Sequence, residues 1–381
     1  MLRRWKWKRV LLMISVLVIA AMLAVGFFNG ANDVSKSIAT LVGSGVTRYR
    51  SAILWGSVWT FAGGAFAAVA AQGLVMAFSG KGVLTTTPDG SVFILSVAIG
   101  ALIWIWLATA TGMPVSTTHA LTGGLVGAGV LAAGTGGIAW PVLLAKFALP
   151  LALSPLLAGG LVFIFFPLVR AGLGRWQNYC VCVQQPVAVV RSSNAAALML
   201  SPARGMMVVD ETESCASSPV TVAGVTLVDG LHWMSAAATA FARGLNDAPK
   251  ILGLGVVAAT TLTMPLSFSF LLVAAAMLAG SLIRGFKVTE TLAQKVTPMA
   301  PVEGLAANLV TSVLVVVASR FALPVSTTHI GSAAIIGLGL RRNARDVQWK
   351  TVREMLLAWI VTLPAAALLA ALVYSLLRLF P

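Results

Sequence analysis

The chain of 381 residues has room for two or three soluble domains, but its composition excludes them: 59% of residues are apolar and only 10% charged, where a soluble domain carries about 25% charged residues. The net charge of +15, from 26 basic and 11 acidic residues, would suggest nucleic acid on a soluble protein. Here the basic residues fall in short loops between apolar spans, the pattern of charges that orient a membrane protein, so nucleic-acid binding is set aside. Three cysteines, all between residues 180 and 215, exclude a disulfide framework.

In chain order, Leu2-Arg3-Arg4-Trp5-Lys6-Trp7-Lys8-Arg9 precedes an apolar run, as in a signal peptide. No A-x-A site follows it, and the run continues into a polar motif, so it reads as an uncleaved first span. Between Arg9 and Asp33 lie 23 uncharged residues, enough to cross a bilayer, which takes about 20. The mainly apolar stretch Val10–Thr47 is longer, at 38 residues, or about 57 Å of straight helix. It must break or protrude, and Asn29-Gly30-Ala31-Asn32-Asp33 sits inside it. Gly90–Ala145 is uncharged for 56 residues and is divided by Thr111-Gly112-Met113-Pro114. Further spans are expected between Lys146 and Arg170, over Ile251–Ile283 with a turn at Thr260–Pro265, and over Met355–Leu377. The expectation is an all-α integral membrane protein of about ten helical spans, some broken or re-entrant. Residues 1–169 and 230–381 form the two membrane halves. Residues 170–229 form a polar, flexible cytoplasmic linker, with Arg175, Gln184, Gln185, Arg191, Ser192, Ser193, Asp210, Glu211 and Glu213. Cys180, Cys182 and Cys215 in the linker lack the His or further Cys partners of a metal site and are expected as free thiols.

The halves carry an internal duplication. Pro114-Val115-Ser116-Thr117-Thr118-His119 recurs unchanged as Pro324-Val325-Ser326-Thr327-Thr328-His329. Upstream, Gly30-Ala31-Asn32-Asp33 with Lys36 matches Gly244-Leu245-Asn246-Asp247 with Lys250. Asp-to-Ser spacing is 83 residues in one copy and 79 in the other. An odd number of crossings per half would invert the second copy, as in many secondary transporters. Loop charge agrees. With the N-terminus outside, 14 basic residues fall inside and seven outside, Lys81 and Arg378 among the latter. The basic N-terminus is the one dissenting segment.

A carboxylate at membrane depth marks a site or an ion pathway. Asp33 and Lys36, or Asp247 and Lys250, also fit a structural ion pair on one helical face. Recurrence in both halves favours a shared midplane site. The Pro-x-Ser-Thr-Thr segments open helices, and a helix N-terminus with free N–H groups and adjacent hydroxyls suits an oxyanion; the plainer role is N-capping by Ser or Thr. His119 and His329 are either proton carriers or partners within their hairpins, and His232 is structural or interfacial. A Ser/His pair invites an intramembrane hydrolase, but no nucleophile-elbow signature accompanies it, and duplication fits transport better than an enzyme.

These paired motifs, with Lys287-Val288-Thr289-Glu290-Thr291-Leu292 and Val296-Thr297-Pro298, resemble the inorganic phosphate transporter (PiT) family. The resemblance implies secondary active symport of inorganic phosphate with Na+ or H+ in the cell (inner) membrane, no further cofactor, and a homodimer. It implies that Asn32, Asp33, Asn246 and Asp247 hold the coupling cation, Na+ included, and shape the site. Ser116, Thr117, Thr118, Ser326, Thr327 and Thr328 would receive phosphate, with Asn32 and Asn246 beside them. Three departures stand out. Lys36 replaces a common Asn, Thr60 and Asn308 stand where some members carry acids, and Arg243 replaces a frequent His. A Lys like Lys250 is not unusual. The departures turn the expectation toward H+ coupling and keep sulfate open as an alternative tetrahedral substrate, with a channel or receptor-like module as the other class.

Overall fold

In a bilayer core every backbone N–H must find its partner within the segment, and that requirement makes most of this chain helical. The computed structural model describes all residues except 1, 81–82, 86–90, 186, 192–197, 203–204, 218–220 and 380–381. Lys81, Ser192 and Ser193, named above, and Arg204, one of the 14 basic residues counted inside, therefore lie outside the described residues. The first half comprises α1 (Leu2–Asp33), α2 (Ser35–Gly43), α3 (Tyr49–Ala70), α4 (Gly73–Phe78), α5 (Ser91–Thr111) and α6 (Thr117–Ala133). It ends with α7 (Trp140–Val142), a π-helical turn over Leu143–Ala148, and α8 (Leu149–Leu173). The 38-residue run breaks at Val34, immediately after Asp33, and the 56-residue run breaks after Thr111, where Gly112 takes a φ of 78°.

The linker, expected from its polarity as a flexible connection, carries five short strands among the described residues. Strand β1 (Tyr179–Gln184) pairs antiparallel with β4 (Met206–Glu211) and β5 (Thr221–Thr226), and β2 (Val187–Arg191) pairs with β3 (Leu198–Pro202). A short helix, α9 (Thr212–Ser217), crosses back to this sheet. The β-branched residues of Val181, Val183, Val187, Val189, Val208 and Val209 suit pleated pairing, a signal that the charge of the surrounding segment obscures. The thiol expectation is also corrected. Cys180 and Cys215 form a disulfide and Cys182 is free and buried against them. Residues i and i+2 of a strand share a face, so Cys180 and Cys182 both look inward and α9 brings Cys215 to them.

The second half runs α10 (Leu227–Thr261), α11 (Leu266–Arg284), α12 (Phe286–Gln294), α13 (Pro301–Arg320), α14 (Thr327–Asn343) and α15 (Trp349–Leu377). The turn expected at Thr260–Pro265 separates α10 from α11. Seven of the described helical stretches are long and apolar enough to cross a membrane. Helix α10 is long enough at 35 residues but carries Arg243, Asp247 and Lys250, and α6 and α14 have 17 residues each. A count near ten rests on those three. Large apolar side chains such as Leu156, Ile164 and Leu168 on α8, and Ile360 and Leu368 on α15, face outward, as a lipid-covered surface requires.

The halves interleave. Helix α1 packs on α11 while α10 packs on α3, and α6 packs on α15 while α14 packs on α8. Each motif helix is therefore held mainly by the opposite half. The motif glycines permit this approach: a Cβ on Gly30 would meet the Met277 carbonyl of α11, and one on Gly244 would meet the Thr60 carbonyl of α3. The interleaving brings Asn32-Asp33 and Asn246-Asp247 to one buried centre.

Candidate functional site

Helix α1 delivers the first polar set. Asn32 holds the start of its own hairpin: its Nδ2 donates to the Met113 carbonyl at 3.0 Å and to Thr109 Oγ1 at 3.2 Å, while its Oδ1 accepts from the Val115 N–H at 3.2 Å. Because Met113 to Ser116 lies outside both helices, these backbone groups have no helical partner, and the asparagine amide supplies one. Lys36 curls back from α2. Its Nζ donates to the Asn32 carbonyl, to Asn32 Oδ1 and to Asp33 Oδ1, all at 2.7 Å.

Helix α10 repeats the theme with different details. Asn246 Nδ2 donates to Asp247 Oδ1 at 2.9 Å and to the Val325 carbonyl at 3.4 Å, and its Oδ1 accepts from Ser319 at 3.3 Å. Lys250 Nζ reaches the Val325 carbonyl at 2.7 Å and Thr118 Oγ1 at 2.8 Å, with Asp247 Oδ1 farther off at 3.5 Å. The helix does not break here, although Pro249 interrupts its N–H ladder. Both ion pairs are thus real, and both are inside the site: Asp33, Lys36, Asp247 and Lys250 are at most 2% exposed.

The hydroxyls divide by position. Ser116 and Ser326 are N-caps, each accepting the N–H three residues on, of His119 and His329, at 3.2 Å. Thr118 donates to the Val325 carbonyl at 3.0 Å and Thr328 to the Val115 carbonyl at 2.7 Å, so each hairpin is tied to the other. As donors, Thr117 and Thr327 make only long contacts, 3.4 Å to Asp33 Oδ2 and 3.5 Å to Asp247 Oδ2, at the limit of hydrogen bonding, while Thr117 Oγ1 also accepts from Asn29 Nδ2 at 3.0 Å. All six hydroxyl residues are buried. The two helix N-termini that the sequence suggested for an oxyanion do meet, and the Thr117 and Thr327 hydroxyls donate there only over long contacts to the carboxylates.

The histidines are not separate. The His119 and His329 rings face each other at 4.5 Å between centroids, and His329 stacks on Trp359 of α15 at 4.1 Å. His119 Nδ1 also touches Ser116 Oγ at 2.9 Å. His232 lies buried against Gly304 of α13, away from the motifs.

Four participants were not legible as a repeat. Asn29 Nδ2 lies within 3.3 Å of Asp33 Oδ2, Thr117 Oγ1 and Asp247 Oδ2, bridging the two halves. Its counterpart four residues before the second Asp is Arg243, so a search for identical residues passes over both. Arg243 is 1% exposed and donates to Thr60 Oγ1 at 2.7 Å through Nη2. Thr109 and Ser319, the matching hydroxyls of α5 and α13, anchor the two Asn side chains.

Comparison with known proteins gives the family and the fold. A family model described as the phosphate transporter family matches residues 29–370. A "probable low-affinity inorganic phosphate transporter" of Bacillus subtilis is 28% identical over 378 residues, covering 97% of this chain and 99% of the relative. One of the same description from Rhizobium meliloti is 29% identical and covers 94% of each chain. A solved structure described as "The sodium-dependent phosphate transporter" superposes with a TM-score of 0.77 at 22% identity, over 97% of this chain and all of that one, a likeness of fold. Sulfate, kept open above, finds no support among these relatives, and neither does an enzyme. The chain belongs to the phosphate transporter family and is a multi-pass protein of the cell membrane that carries inorganic phosphate.

Proposed function

We propose that this transporter accumulates phosphate by symport with protons rather than Na+. The observation that carries the proposal is the ammonium of Lys36, which lies among three oxygens at 2.7 Å: one carbonyl, one amide and one carboxylate. Those are the hard oxygen donors that a small cation uses. Lys250 takes a matching place against the Val325 carbonyl, Thr118 and Asp247. With both ammonium groups present, the donor sets of Asn32-Asp33 and Asn246-Asp247 do not fit Na+. The tethered cations already neutralise the carboxylates, and an added Na+ would meet like charge in a site of low dielectric. A proton is compatible, because an Asp–Lys pair can gain or release one as the anion enters and leaves.

Phosphate would enter between the two hairpins, displacing the long contacts of Thr117 and Thr327 with the carboxylates. It would accept from those hydroxyls and from the N–H groups at the starts of α6 and α14, where helix dipoles favour an anion. Asn32 and Asn246, which brace the hairpins, would set their separation. The reciprocal packing of α1 on α11 and α3 on α10, together with the loop-charge bias, supports two inverted repeats that rock about this centre.

The reading is tested with purified protein in liposomes. Labelled phosphate should accumulate above its external concentration when an ion gradient is imposed, and Asp33→Asn or Asp247→Asn should abolish accumulation. Equilibration without accumulation would identify a channel and overturn the reading. A second reading, Na+ symport in the same site, is favoured by the sodium dependence in the description of the similar solved structure. It requires both lysines to leave the oxygens that they occupy here.

A further inference from the structure

Two polar atoms at equivalent places in the repeated motif have no partner among the described residues. Asn29 and Arg243 each stand four residues before the motif Asp, on the same helical face. Asn29 is 0% exposed and its Oδ1 accepts no hydrogen bond. Arg243 is 1% exposed and its Nη1 donates none. Buried polar groups are nearly always satisfied, so an orphan on each copy of one motif demands a cause. The orientation of the Asn29 amide is fixed by its neighbours. Its other end lies 3.0 Å from Asp33 Oδ2 and 3.3 Å from Asp247 Oδ2. Those carboxylate oxygens accept, so the NH2 must point at them and the carbonyl oxygen must point elsewhere.

The charges complete the argument. Asp33 is paired with Lys36, and Asp247 with Lys250. Arg243 bonds only the neutral hydroxyl of Thr60, through Nε at 3.3 Å and Nη2 at 2.7 Å. The five groups therefore sum to a formal charge of +1, and that charge belongs to the guanidinium. A buried charge without a counter-charge is strongly disfavoured at membrane depth. The site lacks an anion, and it lacks a hydrogen-bond donor for Asn29 Oδ1.

We propose that Arg243 and Asn29 are the residues that select a protonated tetrahedral oxyanion, Arg243 donating to a bare oxygen and Asn29 Oδ1 accepting from a P–O–H group. The inference rests on the phosphate-transport reading and adds what distinguishes phosphate from sulfate. Phosphate near neutral pH carries both a negative oxygen and a hydroxyl. Sulfate has the negative oxygens and no hydroxyl, so it would set a bare oxygen against the Asn29 carbonyl. Sites built to hydrogen-bond a substrate hydroxyl reject the analogue lacking it by about 10⁴-fold. Arsenate, which keeps the hydroxyl, belongs with phosphate.

The test is equilibrium binding of labelled inorganic phosphate to the purified protein, with unlabelled arsenate, sulfate and selenate as competitors. Wild-type protein should be displaced by arsenate and not by a hundredfold excess of sulfate or selenate. Arg243→Gln should weaken phosphate and arsenate together by at least tenfold, and Arg243→Lys should restore most of the loss. Thr60→Glu, which leaves Arg243 in place but supplies a counter-charge, should weaken phosphate as Arg243→Gln does. Asn29→Ala should bring sulfate at least tenfold closer to phosphate. Folding of each variant is checked by its elution and melting temperature, and the wild-type competition stands without any variant. Sulfate competing as well as arsenate in wild type would overturn the proposal, as would unchanged phosphate affinity in folded Arg243→Gln. Absence of any phosphate binding in wild type would instead overturn the transport reading beneath it.

Discussion

Replacing Lys36 by Asn removes one ammonium and leaves its oxygens. The Lys36 Nζ and Asp33 Oδ1 are 2.7 Å apart, and at an effective dielectric of about 20 their attraction is about 6 kcal/mol. A Na+ brought to about 4 Å from Nζ is repelled by about 4 kcal/mol on the same scale, on the order of 10³ in affinity. Lys36→Asn lifts that repulsion and exposes an unpaired buried carboxylate, which costs about 3–5 kcal/mol when nothing replaces the partner. The variant should therefore be less stable than wild type in choline chloride and recover much of the loss in NaCl. Wild type should melt at the same temperature in both salts. Melting curves in the two salts at equal ionic strength, followed by uptake in the same salts, make the comparison. The reasoning is refuted if wild type is stabilised by Na+ over choline, or if folded Lys36→Asn is indifferent to Na+ in both assays.

The remaining predictions follow from single contacts. Thr117→Ala and Thr327→Ala should each weaken phosphate uptake at limiting substrate by about ten- to a hundredfold, the worth of one hydrogen bond to a charged group at roughly 1.5–3 kcal/mol; wild-type uptake by both would place the anion elsewhere. Gly244→Ala should lower the melting temperature and the yield of folded protein, because its Cβ would meet the Thr60 carbonyl, while alanine at the open Gly160 inside α8 should lower neither. Ala322 holds a φ of 52° where its counterpart Gly112 holds 78°, so Ala322→Gly should stabilise the second hairpin by about 1 kcal/mol, measured as a raised melting temperature. Met207, 77% exposed on β4, marks the side of the linker: Met207→Cys in a cysteine-free background should react with an impermeant maleimide only after cells are opened.

Legibility in the sequence followed the kind of interaction. The repeated hexapeptide and the Asp–Lys spacing were visible because helix starts and i,i+3 pairs are local. They led directly to Asp33, Lys36, Asp247, Lys250 and the hydroxyl hairpins. The break in α1 was legible as excess length, but that α10 passes Asp247 unbroken was not, since both copies share the same motif letters. The unequal tasks of Ser116, Thr117 and Thr118 depend on which carbonyl lies opposite, a fact of the interleaved halves. Asn29 and Arg243 were each visible, one in the polar motif and one as a departure, but their equivalence was hidden by their difference, because duplication draws attention to what is identical. In the linker, charged residues among the valines masked the alternation that builds β1, β4 and β5. The Cys180–Cys215 bond depends on α9 folding back, which spacing alone does not reveal.

The most direct measurement is labelled phosphate uptake into liposomes holding the purified protein, with a proton gradient and a Na+ gradient imposed separately. An inwardly directed proton gradient in Na+-free choline medium should drive accumulation above equilibrium, and a Na+ gradient at equal pH on both sides should add nothing. Accumulation that fails in choline and returns with a Na+ gradient alone would contradict the claim that Lys36 and Lys250 stand in for the coupling cation.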